Sequence, residues 1–536
     1  MASDARTLPS LAGLRRRQTS VVVPRWPAAA WASIALGLMF VGVSCWWLSQ
    51  DHSIPVYDSG SHLSSAIDVY EALTSGRLGR ALTTSVPYPP LAFLAGALGI
   101  GAGGVGVAPP IVAENLLFVP VLVLGCYKVG RLAFGSTAGV LAVVFALGSP
   151  MIIEEFHEFM LDAPEAAMVA VSVWAILATE RFSRPGVSAL AGVAVGLGML
   201  SKETFVFFVV GVTLVTAVRG GRSALRGVAA FAAVVLCIAL PWYLSEFSTI
   251  QALGNEALGS SSYISSLKVF PGIAPPRLSS ANFEWYFWSI VNWQLYLPLF
   301  AFSAAGLIWA MVGFARRRPV SRFSPELAFG AFVSWVALTE TFLHDPRYCI
   351  PMEVYFAVFA AGWVSRLPRR ARVVPATALV VVALANTLGT TFGVGRVVTT
   401  EPENTTYEQQ PGIFKLYSSL GFWVGAPQRN GTMLELLRAL RRNGVREVWI
   451  SEQQSETEYS YPGMLLLARI AGLKVPRNFP DPEGASRSYA FLNRGEPPST
   501  LSYPCVTLGN GVGVWVRLGG SSGGDGNHPW DYCPLL

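Results

Sequence analysis

Charged side chains are scarce in this chain. Asp, Glu, Lys and Arg together make up 13% of its 536 residues, whereas hydrophobic residues make up 52% and the mean hydropathy is +0.45. A soluble domain carries about a quarter charged residues, so this shortage excludes a wholly soluble protein and predicts an all-α polytopic membrane bundle. The net charge of +6 does not come from a continuous basic patch, and we expect no nucleic-acid partner.

Several familiar sequence patterns are also missing. The chain has no HExxH zinc pattern, and its C-terminal region has no Gly-rich phosphate loop. The first apolar run has no A-x-A cleavage site and ends in paired tryptophans, which favours a retained first helix. No convincing internal repeat is present. This absence disfavours the main alternative function, a polytopic transporter or lipid flippase.

The apolar runs predict about 11 transmembrane helices. Most have nearly the length needed to cross about 30 Å of hydrocarbon. The runs lie at 27–48, 111–127, 137–153, 163–179, 187–200, 204–218, 227–245, 285–315, 326–343, 350–365 and 373–395. Arginines and lysines fall in every second gap between them, as the positive-inside rule requires. The N-terminus is therefore predicted to be cytoplasmic and the C-terminal region extracytoplasmic.

Two stretches complicate this count. Residues 90–110 carry no charge, but counting them as a span would move Lys128 and Arg131 outside and invert every later loop. Their glycines and flanking prolines also suit a lipid-exposed helix poorly, so we expect a re-entrant or interfacial segment. The runs 187–200 and 204–218 are both short. They predict a helical hairpin with Lys202 at its outer tip.

The external loop 49–89 is predicted to carry an interfacial helix. Apolar residues recur at helical spacing from Ser61 to Leu73, and Gly76 is a plausible stop. This pattern is typical of an amphipathic helix on the membrane surface. Asp58 precedes the apolar pattern, where a short acid often caps a helix. A cap is therefore the ordinary alternative to a functional role for this residue.

The second external turn, 154–165, is rich in acids. His157 beside these acids raises the possibility of a metal site, although solvated acids at a helix end are the commoner explanation. Asp162 stands two residues before Pro164, a residue typical of a first helical turn, so Asp162 could also be a cap. Lys202 is predicted to lie on the same side. The ordinary explanation for a lysine at this position is that its ammonium extends, or snorkels, to the membrane interface. An ion-paired turn is the ordinary explanation for the segment His344-Asp345-Pro346-Arg347-Tyr348.

The convergence of these groups favours a functional site. Acids, a lysine and an arginine from separate loops are predicted to lie on one face. Their motifs, in this order, resemble those of the GT-C glycosyltransferases, with the protein O-mannosyltransferase and aminoarabinose transferase group (families 39 and 83) as the nearest branch. The resemblance covers roughly residues 28–365. Its motifs are Tyr57-Asp58-Ser59-Gly60-Ser61-His62, Tyr88-Pro89-Pro90-Leu91, Phe159-Met160-Leu161-Asp162-Ala163-Pro164, Gly198-Met199-Leu200-Ser201-Lys202 and Asp345-Pro346-Arg347-Tyr348.

The resemblance implies an inverting transferase that moves a sugar from a polyprenyl-phosphate carrier to a lipid, glycan or protein acceptor. It implies catalytic roles for Asp58 and Asp162, with Asp58 acting at the acceptor. We expect such a transferase to need no cofactor and no divalent metal. Lys202 and Arg347 match the basic residues that hold the donor phosphate. We expect four further side chains to support the site: His62, Glu158, Tyr88 and Tyr348. Many relatives have Glu directly after the first Asp, where this chain has Ser59. This difference leaves open whether the substrate or the geometry of the site differs from that of the relatives.

The apolar runs and the change of composition after residue 395 divide the chain into three predicted parts. We expect a cytoplasmic segment at 1–26, the GT-C-like transmembrane domain at 27–395, and a small extracytoplasmic α/β domain at 396–536. Within 405–412, residues 405–407 and 409–412 are predicted to be a linker. Alternating helical and strand-like patterns predict that domain, and acceptor recognition or shielding is its expected role. Cys505 and Cys533 could pair in an oxidising compartment, and two sequons begin at Asn404 and Asn430. Arginine far exceeds lysine and alanine is abundant, which favours a bacterial inner membrane with a periplasmic outer side; an endoplasmic-reticulum lumen is the open alternative.

Overall fold

The computed structural model describes most of the membrane region and part of the C-terminal region. The described residues are 27–55, 57–83, 88–257, 283, 286–287, 289–340, 345–393, 427, 433–450, 460–476, 489–494, 506–507 and 512–517. Four sequence predictions therefore fall outside the described residues: His344, the linker at 405–412, the two sequons, and the pairing of Cys505 with Cys533.

Helices account for nearly all of the described membrane region. In chain order they are α1 Ala28–Gln50, α2 Tyr57–Thr74, α3 Leu78–Leu82, α4 Leu91–Gly103, α5 Ala108–Phe134, α6 Ser136–Leu147, α7 Pro150–Glu155, α8 Asp162–Ala178, α9 Pro185–Met199, α10 Phe205–Gly220, α11 Leu225–Ser245, α12 Phe247–Ala257, α13 Tyr296–Ala315, α14 Ser324–Thr339, α15 Glu353–Arg366 and α16 Arg369–Phe392. A π-helical turn at Ile290–Gln294 precedes α13, and a 3₁₀ turn at Pro346–Met352 precedes α15.

Each of the eleven predicted apolar runs overlaps a helix. Six helical stretches in the described part of the chain are long and apolar enough to cross a membrane: Ala28–Gln50, Ala108–Phe134, Phe205–Ser245, Tyr296–Ala315, Pro346–Arg366 and Arg369–Phe392. The stretch Phe205–Ser245 contains both α10 and α11. The prediction of an apolar helical membrane bundle is confirmed, and the number of crossings stays a prediction.

The segment predicted to be re-entrant forms the short helix α4. Its 13 residues span about 20 Å at about 1.5 Å per residue, less than the hydrocarbon thickness. Its glycines allow close packing: a Cβ on Gly99 would lie 2.2 Å from the carbonyl oxygen of Pro109, and one on Gly96 would lie 2.7 Å from the Phe159 ring. The helix is therefore held between α2, α5 and the loop before α8 rather than exposed alone.

The core lies around α5. This helix contacts α1, α4, α6, α8 and α15, and its buried residues join one continuous apolar cluster with those of α6, α8 and α15. The run predicted at 137–153 breaks at Gly148, where α6 ends and a tight contact with Ala383 of α16 begins. The side chain of Asn386 donates a hydrogen bond to the carbonyl oxygen of Gly148 at 2.8 Å. The break is thus satisfied by a polar group from a neighbouring helix.

The end of α10, the start of α14 and the loop after α8 meet at one end of the bundle. Arg219, at the end of α10, pairs with Glu326 at the start of α14 at 2.7 Å. A Cβ on Gly220 would lie 2.3 Å from the carbonyl oxygen of Arg181, so the loop after α8 also reaches this end. Arg181 and Arg219, from two of the predicted cytoplasmic gaps, therefore lie near each other, and the orientation of the bundle in a membrane stays a prediction.

The described C-terminal residues form two helices and a four-stranded sheet. The helices are α17 Met433–Arg442 and α18 Tyr461–Ile470, and the strands are β1 Glu447–Ile450, β2 Tyr489–Arg494, β3 Val506–Thr507 and β4 Val512–Arg517. The strand order is β1-β2-β4-β3, with β1 parallel to β2 and the other pairs antiparallel. Leu437, Val448 and Leu467 share one buried cluster, which packs both helices against β1.

Candidate active site

Five separate segments converge at the end of the bundle opposite the arginine-rich end. They are the first two turns of α2, the residues before α4, the loop between α7 and α8 with the first residue of α8, the loop between α9 and α10, and the 3₁₀ turn before α15. A backbone hydrogen bond of 2.9 Å from Leu91 to Leu200 ties the second segment to the fourth. All eight side chains predicted for the site lie in these segments: Asp58, His62, Tyr88, Glu158, Asp162, Lys202, Arg347 and Tyr348.

Arg347 links two acids. Its guanidinium lies 2.5 Å from the carboxylate of Asp58 and 3.1 Å from that of Asp345. Asp345 also caps its own 3₁₀ turn by accepting a hydrogen bond of 3.0 Å from the Arg347 backbone N–H. Burial would raise the pKa of Asp58, but Arg347, and after it His62, lower it by more, so the pKa lies below the usual range for Asp. Asp58 is therefore a carboxylate at neutral pH.

Lys202 and Asp162 form the second ion pair, at 2.6 Å. Both side chains are almost fully buried, with exposed fractions of 7% for Lys202 and 3% for Asp162. Burial would lower the pKa of Lys202, but Asp162 and Glu165 outweigh it and raise that pKa, so the ammonium keeps its charge. Glu165 is itself held by Thr204, which donates a hydrogen bond to it at 2.7 Å. These contacts fix the loop after α9 against the start of α8.

The ring of Tyr348 lies near both cations. The Lys202 Nζ is 4.7 Å from the ring centroid and the Arg347 Cζ is 5.7 Å from it. Both distances fall within the range of a cation–π interaction, in which the electron-rich ring face attracts a positive charge. Tyr348 therefore joins the two ion pairs into one cluster of two cations and three acids, the third acid being Asp345.

His62 supports the same cluster from α2. Its Nδ1 lies 3.3 Å from the carbonyl oxygen of Phe159, and its ring packs edge-on against Tyr88. Burial lowers the pKa of His62 to about 4, with Arg347 and Lys202 adding to the effect of burial and Asp58 opposing it. The ring is therefore neutral at pH 7, and donation to the carbonyl requires its proton on Nδ1. Ser59 accepts a hydrogen bond of 3.4 Å from the Phe159 N–H, which ties α2 to the same loop.

Three further acids surround the cluster. Burial raises the pKa of Glu158 to about 7, opposed by Arg347, and it raises that of Glu154 to about 8. The pKa of Glu155 also lies well above its usual range because of burial and the nearby Asp162. The site thus contains more carboxyl groups than its two cations can neutralise, and some of them hold a proton near neutral pH.

His157 does not join a metal cluster. Its ring stacks on Trp47 with the centroids 4.5 Å apart, and burial lowers its pKa to about 3. Among the described residues, no three His, Cys, Asp or Glu side chains are arranged to hold a metal ion. The metal alternative at 154–165 therefore gains no support from the geometry of these residues.

Two of the ordinary explanations from the sequence are wrong. α2 begins at Tyr57, four residues earlier than predicted, so Asp58 lies inside its first turn and its carboxylate binds Arg347 instead of capping the helix. Lys202 does not snorkel toward solvent, because its ammonium is buried against Asp162. The ion-paired turn expected at Asp345–Tyr348 is present, and Arg347 extends beyond it to Asp58.

Sequence reasoning missed the role of Asp345 and the support from Glu165 and Thr204. The position of Asp345, two residues before Arg347 and directly before a proline, was an available signal for a capping acid. No local signal connects Glu165 with Thr204, because the two residues are 39 positions apart in sequence and meet only in the folded chain.

A family model matches residues 88–244 of the chain; its description is dolichyl-phosphate-mannose-protein mannosyltransferase. The match covers three of the five segments that form the site. The comparison with curated proteins finds no significant match.

Two solved structures with the same fold are of one bacterial protein. ArnT from Cupriavidus metallidurans, bound to undecaprenyl phosphate, is similar with a TM-score of 0.61 and 14% identity over 91% of this chain and 98% of that chain. Its apo state has a TM-score of 0.56 and 16% identity over the same shares. The Archaeoglobus fulgidus oligosaccharyltransferase in the apo form has a lower TM-score, 0.47, with 11% identity over 83% of this chain and 64% of that one.

Proposed function

We propose that this chain, a member of the GT-C glycosyltransferase superfamily, is an integral membrane transferase that moves a sugar from a polyprenyl-phosphate donor to an acceptor. The observation that carries this proposal is the cluster of Arg347, Lys202 and Tyr348 with Asp58 and Asp162. It combines cations suited to a phosphate with carboxylates suited to an acceptor proton, at the helix ends, where a lipid-linked phosphate can approach.

Arg347 is the better placed of the two cations to bind the donor phosphate. Its side chain is 19% exposed, and a guanidinium has five N–H donors, so Asp58 and Asp345 do not use its whole capacity. Lys202 lies deeper and contributes its charge from behind the Tyr348 ring. Phosphate binding would thus use Arg347 directly and Lys202 mainly through the electrostatic field.

The proposed chemical step is a single displacement. A hydroxyl oxygen of the acceptor attacks the anomeric carbon, and the bond between that carbon and the phosphate oxygen breaks. The electron pair of the broken bond leaves with the polyprenyl phosphate, whose negative charge Arg347 and Lys202 stabilise. Asp58 accepts the proton of the hydroxyl, which is a contribution of about 10²- to 10⁴-fold. Such a displacement inverts the anomeric configuration.

The relatives support a lipid-linked donor. The ArnT structure with the same fold is described as bound to undecaprenyl phosphate, and the matching family is described by a dolichyl-phosphate sugar donor. Both carriers join a phosphate to a long isoprenoid tail, which must stay in hydrocarbon while the phosphate stays in a polar environment. By the positive-inside pattern, the site faces the outer side of a membrane, which in a bacterium is the periplasmic side of the inner membrane.

The proposal is tested with the purified protein in detergent and a panel of polyprenyl-phosphate sugars. We expect release of free polyprenyl phosphate and transfer to an added acceptor without any ion gradient, and NMR of the product should show an inverted anomeric centre. A protein that releases no polyprenyl phosphate with any donor, yet moves substrate across liposomes in a gradient-dependent manner, would be a transporter instead.

A further inference from the structure

The C-terminal helix α18 packs against α2, the helix that carries Asp58 and His62. Leu466 of α18 is fully buried in an apolar cluster with Leu63 of α2 and Phe159 of the loop before α8. A residue more than 300 positions away in sequence therefore completes the packing beneath two of the five site segments.

The two helices approach each other backbone to backbone at their N-terminal ends. A Cβ on Gly60 would lie 2.6 Å from the backbone nitrogen of Gly463, and a Cβ on Gly463 would lie 2.0 Å from the carbonyl oxygen of Pro55. Real Cβ atoms do not come this close to backbone atoms, so both positions require glycine or a shift of one helix. The contact lies two residues from Asp58.

Arg469 holds the other end of the same interface. Its guanidinium lies 2.7 Å from the carboxylate of Asp68 and 2.9 Å from that of Glu71, and it donates a hydrogen bond of 3.3 Å to the carbonyl oxygen of Ser64. Since residues three and four apart share one face of a helix, a single arginine binds one face of α2 over about two turns. These pairs are partly exposed, so each one alone contributes modestly.

We propose that α18 is a positioning element for the Asp58–Arg347 pair, with Gly463 setting the depth of α2 and Arg469 fixing its rotation. The proposal rests on the proposed function only in taking this pair as catalytic. Asp58 belongs to the turn that touches Gly463, whereas Arg347 is held by a different segment, so a shift of α2 changes the distance between them. A displacement of about 1 Å at a catalytic group can reduce the rate about 100-fold.

The first test measures turnover in full-length variants. Gly463→Ala should lower kcat about tenfold or more while the KM for the lipid-linked donor changes less than about threefold, because the donor cations lie on segments other than α2. Gly79→Ala is the matched control, since a Cβ at Gly79 meets no atom within 4 Å. An equal loss in both variants, or a Gly463→Ala protein with unchanged kcat, would overturn the positioning role.

Charge variants test the other contact. Arg469→Ala should lower kcat about three- to tenfold, and Arg469→Lys should recover part of it, because lysine can still pair with one of the two acids. Arg438→Ala on α17 is the control: Arg438 is exposed and forms no ion pair with any described residue. A lysine variant as slow as the alanine variant would contradict a role for the charge.

Hydrogen exchange separates this inference from the proposed function. Backbone amides of residues 57–74 should exchange about three- to tenfold faster in Arg469→Ala than in the wild type or Arg438→Ala, while those of α5 stay unchanged. Unchanged exchange in α2 would overturn the inference even in an active transferase. Faster exchange in α2, in a protein whose wild type transfers no sugar, would support the positioning contact and reject the proposed function alone.

Discussion

The guanidinium of Arg347 binds the carboxylate of Asp58 across 289 residues of sequence. One group is expected to hold the donor phosphate and the other to accept the acceptor proton. Their direct contact means that neither can be replaced without affecting the other. A substitution of either residue therefore removes its own function and also a binding partner of the other.

Replacing the acid at position 58 should abolish most turnover. Asp58→Asn keeps the shape of the side chain but removes the proton acceptor, so we expect a loss of about 10²- to 10⁴-fold in kcat. Donor binding should persist, because Arg347 keeps Asp345 as a partner. Glu435→Gln, on the exposed side of α17, is the control acid-to-amide change. Normal turnover in a well-expressed Asp58→Asn protein would remove Asp58 from catalysis.

Arg347 should determine donor affinity more than Lys202 does. Arg347→Ala should weaken donor binding about tenfold or more, and Arg347→Lys should recover only part of it, because lysine lacks the planar fork that binds two oxygens of a phosphate. The measurement is the Kd for a polyprenyl-phosphate sugar in detergent. If Kd stays the same in Arg347→Ala and in Lys202→Ala, the phosphate binds elsewhere, for example at the exposed Arg77 or Arg80.

The buried pair of Lys202 and Asp162 should dominate the local stability. Lys202→Ala leaves the Asp162 carboxylate buried without its cation and should lower the free energy of unfolding by about 3–5 kcal/mol. The double variant Lys202→Met with Asp162→Leu removes both charges and should recover most of that stability without recovering turnover. Thermal unfolding in detergent measures the stability of both variants, and release of polyprenyl phosphate measures their turnover. A double variant that is no more stable than Lys202→Ala would show that the cost is not electrostatic.

Stability should fall as the pH rises toward and through 7. Burial raises the pKa of Glu158 from 4.5 in the unfolded chain to about 7 in the folded one, so the folded state binds more protons between these values. The contribution of Glu158 is therefore fully present below pH 4.5 and is lost as the pH rises through 7. The Tm of the wild type should fall between pH 5 and pH 8. In Glu158→Gln this fall in Tm should be smaller by about 2–4 °C. Parallel Tm curves would contradict the shifted pKa.

Turnover should tolerate EDTA. The proposed step neutralises the leaving phosphate with Arg347 and Lys202, so no divalent ion is needed to stabilise that charge. The measurement is the rate of polyprenyl phosphate release with and without the chelator, at matched ionic strength. Loss of activity in EDTA, with rescue by a divalent ion, would instead favour a metal site at 154–162.

The sequence was sufficient to predict the apolar helices, because long runs of apolar residues mark the segments that can face lipid. It also placed the segments of the site at the helix ends, where the charged residues interrupt those runs. The sequence was not sufficient to predict which charged residues form ion pairs with each other. Asp58 with Arg347, and Asp162 with Lys202, depend on how distant loops meet, which no local period encodes. The start of α2 was misplaced for the same reason: apolar spacing begins at Leu63, whereas the first turn of the helix is held by Arg347 and Gly463.

The arrangement around Tyr348 has a consequence for charge balance. Two cations face three carboxylates, those of Asp58, Asp162 and Asp345, which gives a local net charge of −1 before any substrate arrives. A phosphodiester donor would add another negative charge, so its binding should favour protonation of a nearby carboxyl, and Glu158 titrates at about pH 7. Donor binding and proton uptake should then be linked, and the binding enthalpy near pH 7 should depend on the ionisation enthalpy of the buffer.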